Sequence, residues 1–91
     1  MPEASKQFLI VNELGLHARA ATKLVQLAGR FQSEVTVEKD EQVANAKSVM
    51  GVLLLCGAKG TYVKVSARGA DAEDCVRQIG DLIANRFGED R

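Results

Sequence analysis

Residues 61–87 read TYVKVSARGADAEDCVRQIGDLIANRF, and this stretch decides the fold class. Between Thr61 and Arg68 the apolar residues alternate, with Val63, Val65 and Ala67 on one side. That period of two marks a strand with one buried face. Gly69 ends it. Beyond it Ala72, Cys75, Val76, Ile79, Leu82, Ile83 and Phe87 fall on one helical stripe. The spacing predicts a helix over Asp71–Phe87. Asp71 is the expected N-cap, and Glu73 and Asp74 suit the positive end of such a helix. A strand passing directly into an amphipathic helix points to a mixed fold.

The same periods extend outward. Gly57–Gly60 reads as a turn. Ser48 precedes Val49–Leu55 as an N-cap and predicts a turn or two of helix, although periodicity alone does not separate helix from strand in so short a run. Glu34–Lys39 alternates around Val35 and Val37, and Asp40-Glu41 reads as a hairpin turn into a short strand, Gln42–Ala46. Ala21, Leu24, Val25 and Ala28 give a helix over His17–Ala28 that stops at Gly29. Lys6–Val11 is a first strand, ended by the loop residues Asn12–Gly15. The order is β-α-β-β-α-β-α. It predicts an α+β fold: a four-stranded antiparallel sheet with three helices on one face. Gly88–Arg91 is expected to fray.

A chain of 91 residues makes one domain, since two halves would each fall below a self-supporting core. Lys and Arg number 12, as do Asp and Glu, which excludes a general electrostatic grip on nucleic acid or an anionic membrane. Cys56 and Cys75 are too few for a disulfide framework or a structural zinc site and read as reduced thiols in apolar surroundings, although spacing alone leaves a bridge between them open. Met1–Gln7 lacks the apolar core of a signal peptide. The longest apolar run, Val49–Cys56, is far short of the roughly 20 residues that cross a bilayer. No membrane insertion and a cytoplasmic location are therefore expected.

The single histidine stands at a chemically useful point. His17 opens the first helix, where backbone N–H groups lack intrahelical partners and the helix dipole is positive. Such an end binds phosphate, and Arg19 adds a planar cation suited to its oxygens. The positive end also disfavours the imidazolium. A neutral imidazole beside an anion cradle is what accepting a phosphoryl group on nitrogen requires. The plain alternative, a surface or capping histidine, fits the same spacing. No second histidine or carboxylate cluster accompanies it, so no metal is expected, and no Ser-His-Asp signature supports hydrolysis. Ser48 reads as an N-cap, which leaves room for a regulatory phosphate at the same helix end. Met50, Leu53 and Leu54 exceed what a two-turn helix buries, so they read either as core or as a docking patch.

Asn12–Ala21, NELGLHARAA, resembles the active-site segment of the histidine-containing phosphocarrier (HPr) family of the bacterial phosphoenolpyruvate-dependent phosphotransferase system. Asn45–Val52, NAKSVMGV, resembles the regulatory-serine motif of that family. The resemblance implies an open-faced β-sandwich. It implies that His17 takes a phosphoryl group on Nδ1 from phospho-enzyme I and passes it to enzyme II-A domains. Arg19 and the amides after His17 would contact the phosphate oxygens. Ser48 would be modified by an HPr serine kinase/phosphorylase, and the added charge would weaken docking on an acidic partner. The implied docking surface takes in Ala18, Ala20, Thr22, Val49, Met50, Gly51, Leu53 and Leu54. No cofactor, no nucleic acid and a monomer are expected. The family is a stoichiometric carrier rather than an enzyme.

One departure stands out: Ala20 occupies the place of the family's usual proline. Alanine restores a backbone N–H near the site and loosens the helix entrance. Two rival functions remain at this level. One is a nitrogen-type regulatory carrier, phosphorylated at His17 but signalling to kinases or transcription factors. The other is a small α+β ligand-binding module in which His17 and Ser48 only cap helices.

Overall fold

The computed structural model describes residues 1–91. Its elements, in order, are β1 (Glu3–Leu9), α1 (Ala18–Ala28), β2 (Glu34–Lys39), β3 (Gln42–Asn45), α2 (Val49–Leu54), β4 (Tyr62–Arg68) and α3 (Ala72–Ala84), with a short 3₁₀ turn at Arg86–Gly88. The strands form one antiparallel sheet in the order β1-β4-β2-β3. Phe8 pairs with Val63, Val37 with both Val65 and Ala44, and Val35 with Ala67. Each alternating run therefore sends its apolar residues to the helix side. Val35, Val37, Ala44, Val63, Val65 and Ala67 are all buried there, within one cluster of 22 buried residues. The architecture is the open-faced α+β arrangement that the sequence order predicts.

β1 starts earlier than expected, at Glu3, and ends at Leu9. Its first five residues, EASKQ, carry little apolar signal because β1 is an edge strand with most of its length exposed. The seven-residue register with β4 holds it in place. Lys6 lies opposite buried Val65, on the helix side, yet remains exposed. An inward-pointing lysine at a sheet edge discourages pairing with another chain. Where α3 crosses β1, Gly80 lies against the Phe8 ring, and a Cβ there would strike it.

On α1 the buried face is Ala20, Ala21, Leu24 and Ala28, while Val25 is half-buried. Ala20 is fully buried, so its side chain cannot take part in an outward docking face, and that expectation is corrected. α3 ends at Ala84, before Phe87. Arg86, Phe87 and Gly88 adopt left-handed backbone conformations with φ of 59°, 54° and 78°. This turn leaves the helix but drops Phe87 into the core, where it is fully buried. The helical stripe thus continues in burial but not in conformation.

Asp71 does not cap its own helix. Its backbone, at φ −106° and ψ 25°, lies outside the extended region that aims an N-cap side chain at its own amides. The carboxylate instead accepts hydrogen bonds from the Gln32 amide at 2.9 Å, the Ser33 amide at 3.0 Å and the Ser33 hydroxyl. It therefore fastens the start of α3 to the loop between α1 and β2. The Ser33 hydroxyl, foremost among these bonds, holds the Asp71 carboxyl below its ordinary value of 3.8. A depressed folded-state value means that the stabilisation is complete above 3.8 and fades as pH falls through the lower, folded value. Asp71→Ala is expected to lower Tm by several degrees at neutral pH. That deficit should shrink at an acidic pH below 3.8, as the wild-type carboxylate takes up a proton and loses the same charge. Thermal melts at both pH values check it; an equal deficit at both would show that the charge contributes nothing.

Cys75 is buried, and burial pushes its thiol up to about 11, as suits a small apolar residue. Cys56 is exposed, contrary to the apolar surroundings its neighbours in sequence suggest. It follows α2, whose outer side is open to solvent. No helix is long and apolar enough to cross a membrane.

Candidate functional site

The loop Asn12–Leu16 places His17. Asn12 is fully buried, and its Nδ2 donates to the Gly15 carbonyl at 2.9 Å, closing a tight turn that the Gly15 amide completes by donating to the Asn12 carbonyl at 3.2 Å. Gly15 has φ +63°, and a Cβ at this point would strike the Gly57 carbonyl. The next amide, Leu16 N–H, donates to that same carbonyl at 2.8 Å. The turn before His17 is therefore stitched to the loop that follows α2.

His17 is the N-cap of α1, with extended backbone and no side-chain bond to its own helix. Its ring is thus free for other partners. The first bond of the α1 ladder is donated by Ala21 to the His17 carbonyl at 2.8 Å, so the amides of Ala18, Arg19 and Ala20 precede the ladder. The His17 side chain is 25% exposed. Arg19 is exposed and pairs with no carboxylate. His17, Ala18, Arg19 and Leu14 line one open depression, together with Glu13 and residues 89–91.

Those last residues are the feature the sequence does not announce. The tail does not fray; it lies across the site. Glu89 meets the His17 Nε2 with one carboxylate oxygen and accepts from Asn12 Nδ2 at 3.0 Å with the other. The Glu13 amide donates to the Arg91 carbonyl at 3.1 Å, and Arg86 Nη1 donates to the Asp90 carbonyl at 3.2 Å. Burial alone would raise the Glu89 carboxyl, but the hydrogen bonds from Asn12 and His17 outweigh it and hold the group below its ordinary value. The dipole argument supplies only a positive helix end beside the imidazole; the fold adds a carboxylate against Nε2. Nothing within reach of His17 in sequence signals Glu89, which lies 72 positions away. Asn12 carries a weak signal as a turn-forming residue. Exposed Leu14 carries none.

The second segment forms a separate surface. Ser48 caps α2, its hydroxyl accepting from the Gly51 amide at 3.1 Å. On α2 only Val52 is buried. Met50 and Leu54 are exposed, while Val49, Gly51 and Leu53 are half-buried. Met50 and Leu54 are thus surface, while Val49 and Leu53 also pack against the core. α1 and α2 pack together, and the stitched loops put the C-terminal end of α2 beside the His17 turn. Ser48 lies at the far end of α2, roughly 9 Å along the axis at 1.5 Å per residue. Thr22 is half-buried, and its hydroxyl is spent on the Ala18 carbonyl at 2.8 Å.

Comparison with known proteins meets this geometry. The profile of the family described as "PTS HPr component phosphorylation site" matches residues 4–85. The chain is 48% identical over 80 residues to the phosphocarrier protein HPr of Neisseria meningitidis, covering 88% of this chain and 90% of that one. It is 40% identical over 89 residues to the phosphocarrier protein NPr of Shewanella violacea, covering 98% of each. Among solved structures, HPr-C-His from Thermoanaerobacter tengcongensis superposes with a TM-score of 0.89 at 44% identity, covering the whole of both chains.

Proposed function

Because the chain belongs to the HPr family, we propose that His17 is its phosphoryl acceptor, loaded by phospho-enzyme I and unloaded onto enzyme II-A domains. The chain is a phosphocarrier protein of the phosphotransferase system, not an enzyme with a turnover of its own. The observation that carries the assignment to His17 is its placement. A partly exposed imidazole, uncommitted to its own helix, stands where three amides precede the ladder, with an unpaired guanidinium two residues on. Arg19 and those amides offset the charge of the phosphoryl oxygens.

Docking uses the exposed side of α2 with Ala18 and Thr22. Leu54 supplies apolar area at the end of α2 nearest His17 and Met50 toward the Ser48 end, and complexes of such a carrier are weak and short-lived. A phosphate on Ser48 from a serine kinase would sit at the other end of the same surface and reduce affinity for an acidic partner. The chain works as a monomer in the cytoplasm, in keeping with two free cysteines. The likeness to an NPr supports a second reading, a regulatory-branch carrier. The two readings share the chemistry at His17 and differ in which II-A domain receives the group. Family membership removes the basis for a ligand-binding module.

Intact-mass spectrometry after incubation with phosphoenolpyruvate and enzyme I tests the reading. Wild type is expected to gain one acid-labile phosphoryl group, and His17→Ala none. An equal gain in both, or no gain with an active enzyme I, would overturn it. Supplying sugar-type and nitrogen-type II-A domains in turn then separates the two branches by which one drains the phosphoryl group faster.

A further inference from the structure

The segment from Phe87 to Arg91 is held at both ends over the site. Phe87 is fully buried, and its carbonyl accepts from Lys23 Nζ of α1 at 2.6 Å. The Arg91 carbonyl accepts from the Glu13 amide, and the Arg91 guanidinium lies 3.8 Å from the Glu13 carboxylate. Between these anchors Glu89 is fixed by the buried Asn12 amide and directed at the His17 Nε2. One carboxylate spans the turn that positions His17 and the ring itself. We propose that Glu89 is a positioning residue for phosphoryl transfer: it holds Nε2 as the protonated ring nitrogen, leaves the Nδ1 lone pair as the nucleophile, and balances the charge the ring gains on attack.

The chemistry follows from the contact and rests on the carrier reading above. An ionised carboxylate only accepts hydrogen bonds, so the proton between Glu89 and the ring belongs to Nε2. A neutral ring then has its lone pair on Nδ1. When Nδ1 attacks phosphorus, the N–P bond forms and the bond from phosphorus to the donor's nitrogen breaks, its electron pair staying with the donor. The ring keeps its Nε2 proton and becomes a phosphorylated imidazolium. Its new positive charge faces Glu89, while the phosphoryl group leaves from the opposite side of the ring. A carboxylate already in place stabilises that charge without rearranging. On transfer to a partner the same steps run in reverse, and Glu89 again keeps the Nε2 proton on the ring.

Two variants test this, Glu89→Ala and a chain ending at Gly88. Each is treated first with phosphoramidate, a small donor that needs no enzyme, and the phosphohistidine isomer is read by ¹H–¹⁵N correlation of the ring. Wild type is expected to carry phosphate on Nδ1 alone; both variants are expected to add a substantial Nε2 isomer. With enzyme I and phosphoenolpyruvate, both variants are expected to accept the group about tenfold more slowly than wild type, equivalent to about 1.4 kcal/mol. An unchanged isomer ratio, or an unchanged acceptance rate, would overturn the proposal. If wild type accepts nothing from enzyme I, the carrier reading fails, and the isomer ratio alone still decides the role of Glu89.

Discussion

Phe87→Ala is expected to remove about 3–5 kcal/mol of stability, the usual cost of truncating a fully buried aromatic. Phe87 heads the largest fully buried side chains, and it lies just past the end of α3. Two consecutive non-glycine residues, Arg86 and Phe87, take left-handed conformations to put it there. Such conformations cost about 1–2 kcal/mol each, and burial of the ring offsets them. Alanine keeps the strained turn and removes what offsets it. Against a total of about 5–15 kcal/mol for a domain, the loss is a large fraction. Urea denaturation measures it. The anchor of the tail goes with it, so protease should cut near Gly88 in the variant before the core unfolds. A loss below about 1 kcal/mol would mean that the ring contributes little to the core.

Gly15→Ala is expected to damage both stability and transfer. The backbone there has φ +63°, and the new Cβ would meet a backbone carbonyl, that of Gly57. Neither group can swing aside as a side-chain tip could. The left-handed conformation and the clash together should cost at least about 2 kcal/mol. Relief requires the Asn12–Leu16 turn to move, which breaks the Leu16 bond to Gly57 and shifts His17 away from Glu89. A displacement near 1 Å at a reacting group lowers rates by about a hundredfold. Denaturation midpoints and the rate of phosphoryl acceptance from enzyme I check the two effects. Wild-type values for both would show that the turn has another way to accommodate a side chain.

The parts of the fold that were legible in the sequence are those with two distinguishable faces. β2 and β4 alternate because the helices cover one side of each and solvent wets the other. α3 shows its stripe because it lies flat on the sheet, and its N-terminal part is read almost to the residue. The expected first strand, Lys6–Val11, starts late and overruns Leu9, because an edge strand buries little and Glu3–Gln7 carries no alternation, while the apolar run continues to Val11. Phe87 misled in the other direction. Periodicity reports burial, and a left-handed turn can bury a residue as well as another turn of helix can. Asp71 has the right residue type for a cap, but its backbone angle sends the carboxylate to a different loop.

The site divides the same way. His17, Arg19 and Ser48 sit at helix starts, and helix starts have local signatures. Ala20 illustrates the limit: beside exposed Arg19 in sequence, it faces the core in the fold. Glu89 joins the site only through tertiary packing, and no spacing rule connects residue 89 to residue 17.

The proposed acceptor is a single imidazole nitrogen, that of His17. The most direct measurement is ¹⁵N NMR of the labelled chain after loading by enzyme I and phosphoenolpyruvate. A single phosphorylated species with the group on Nδ1 of His17 is expected. Phosphate on Nε2, on Ser48, or on no residue while enzyme I is itself phosphorylated would contradict it.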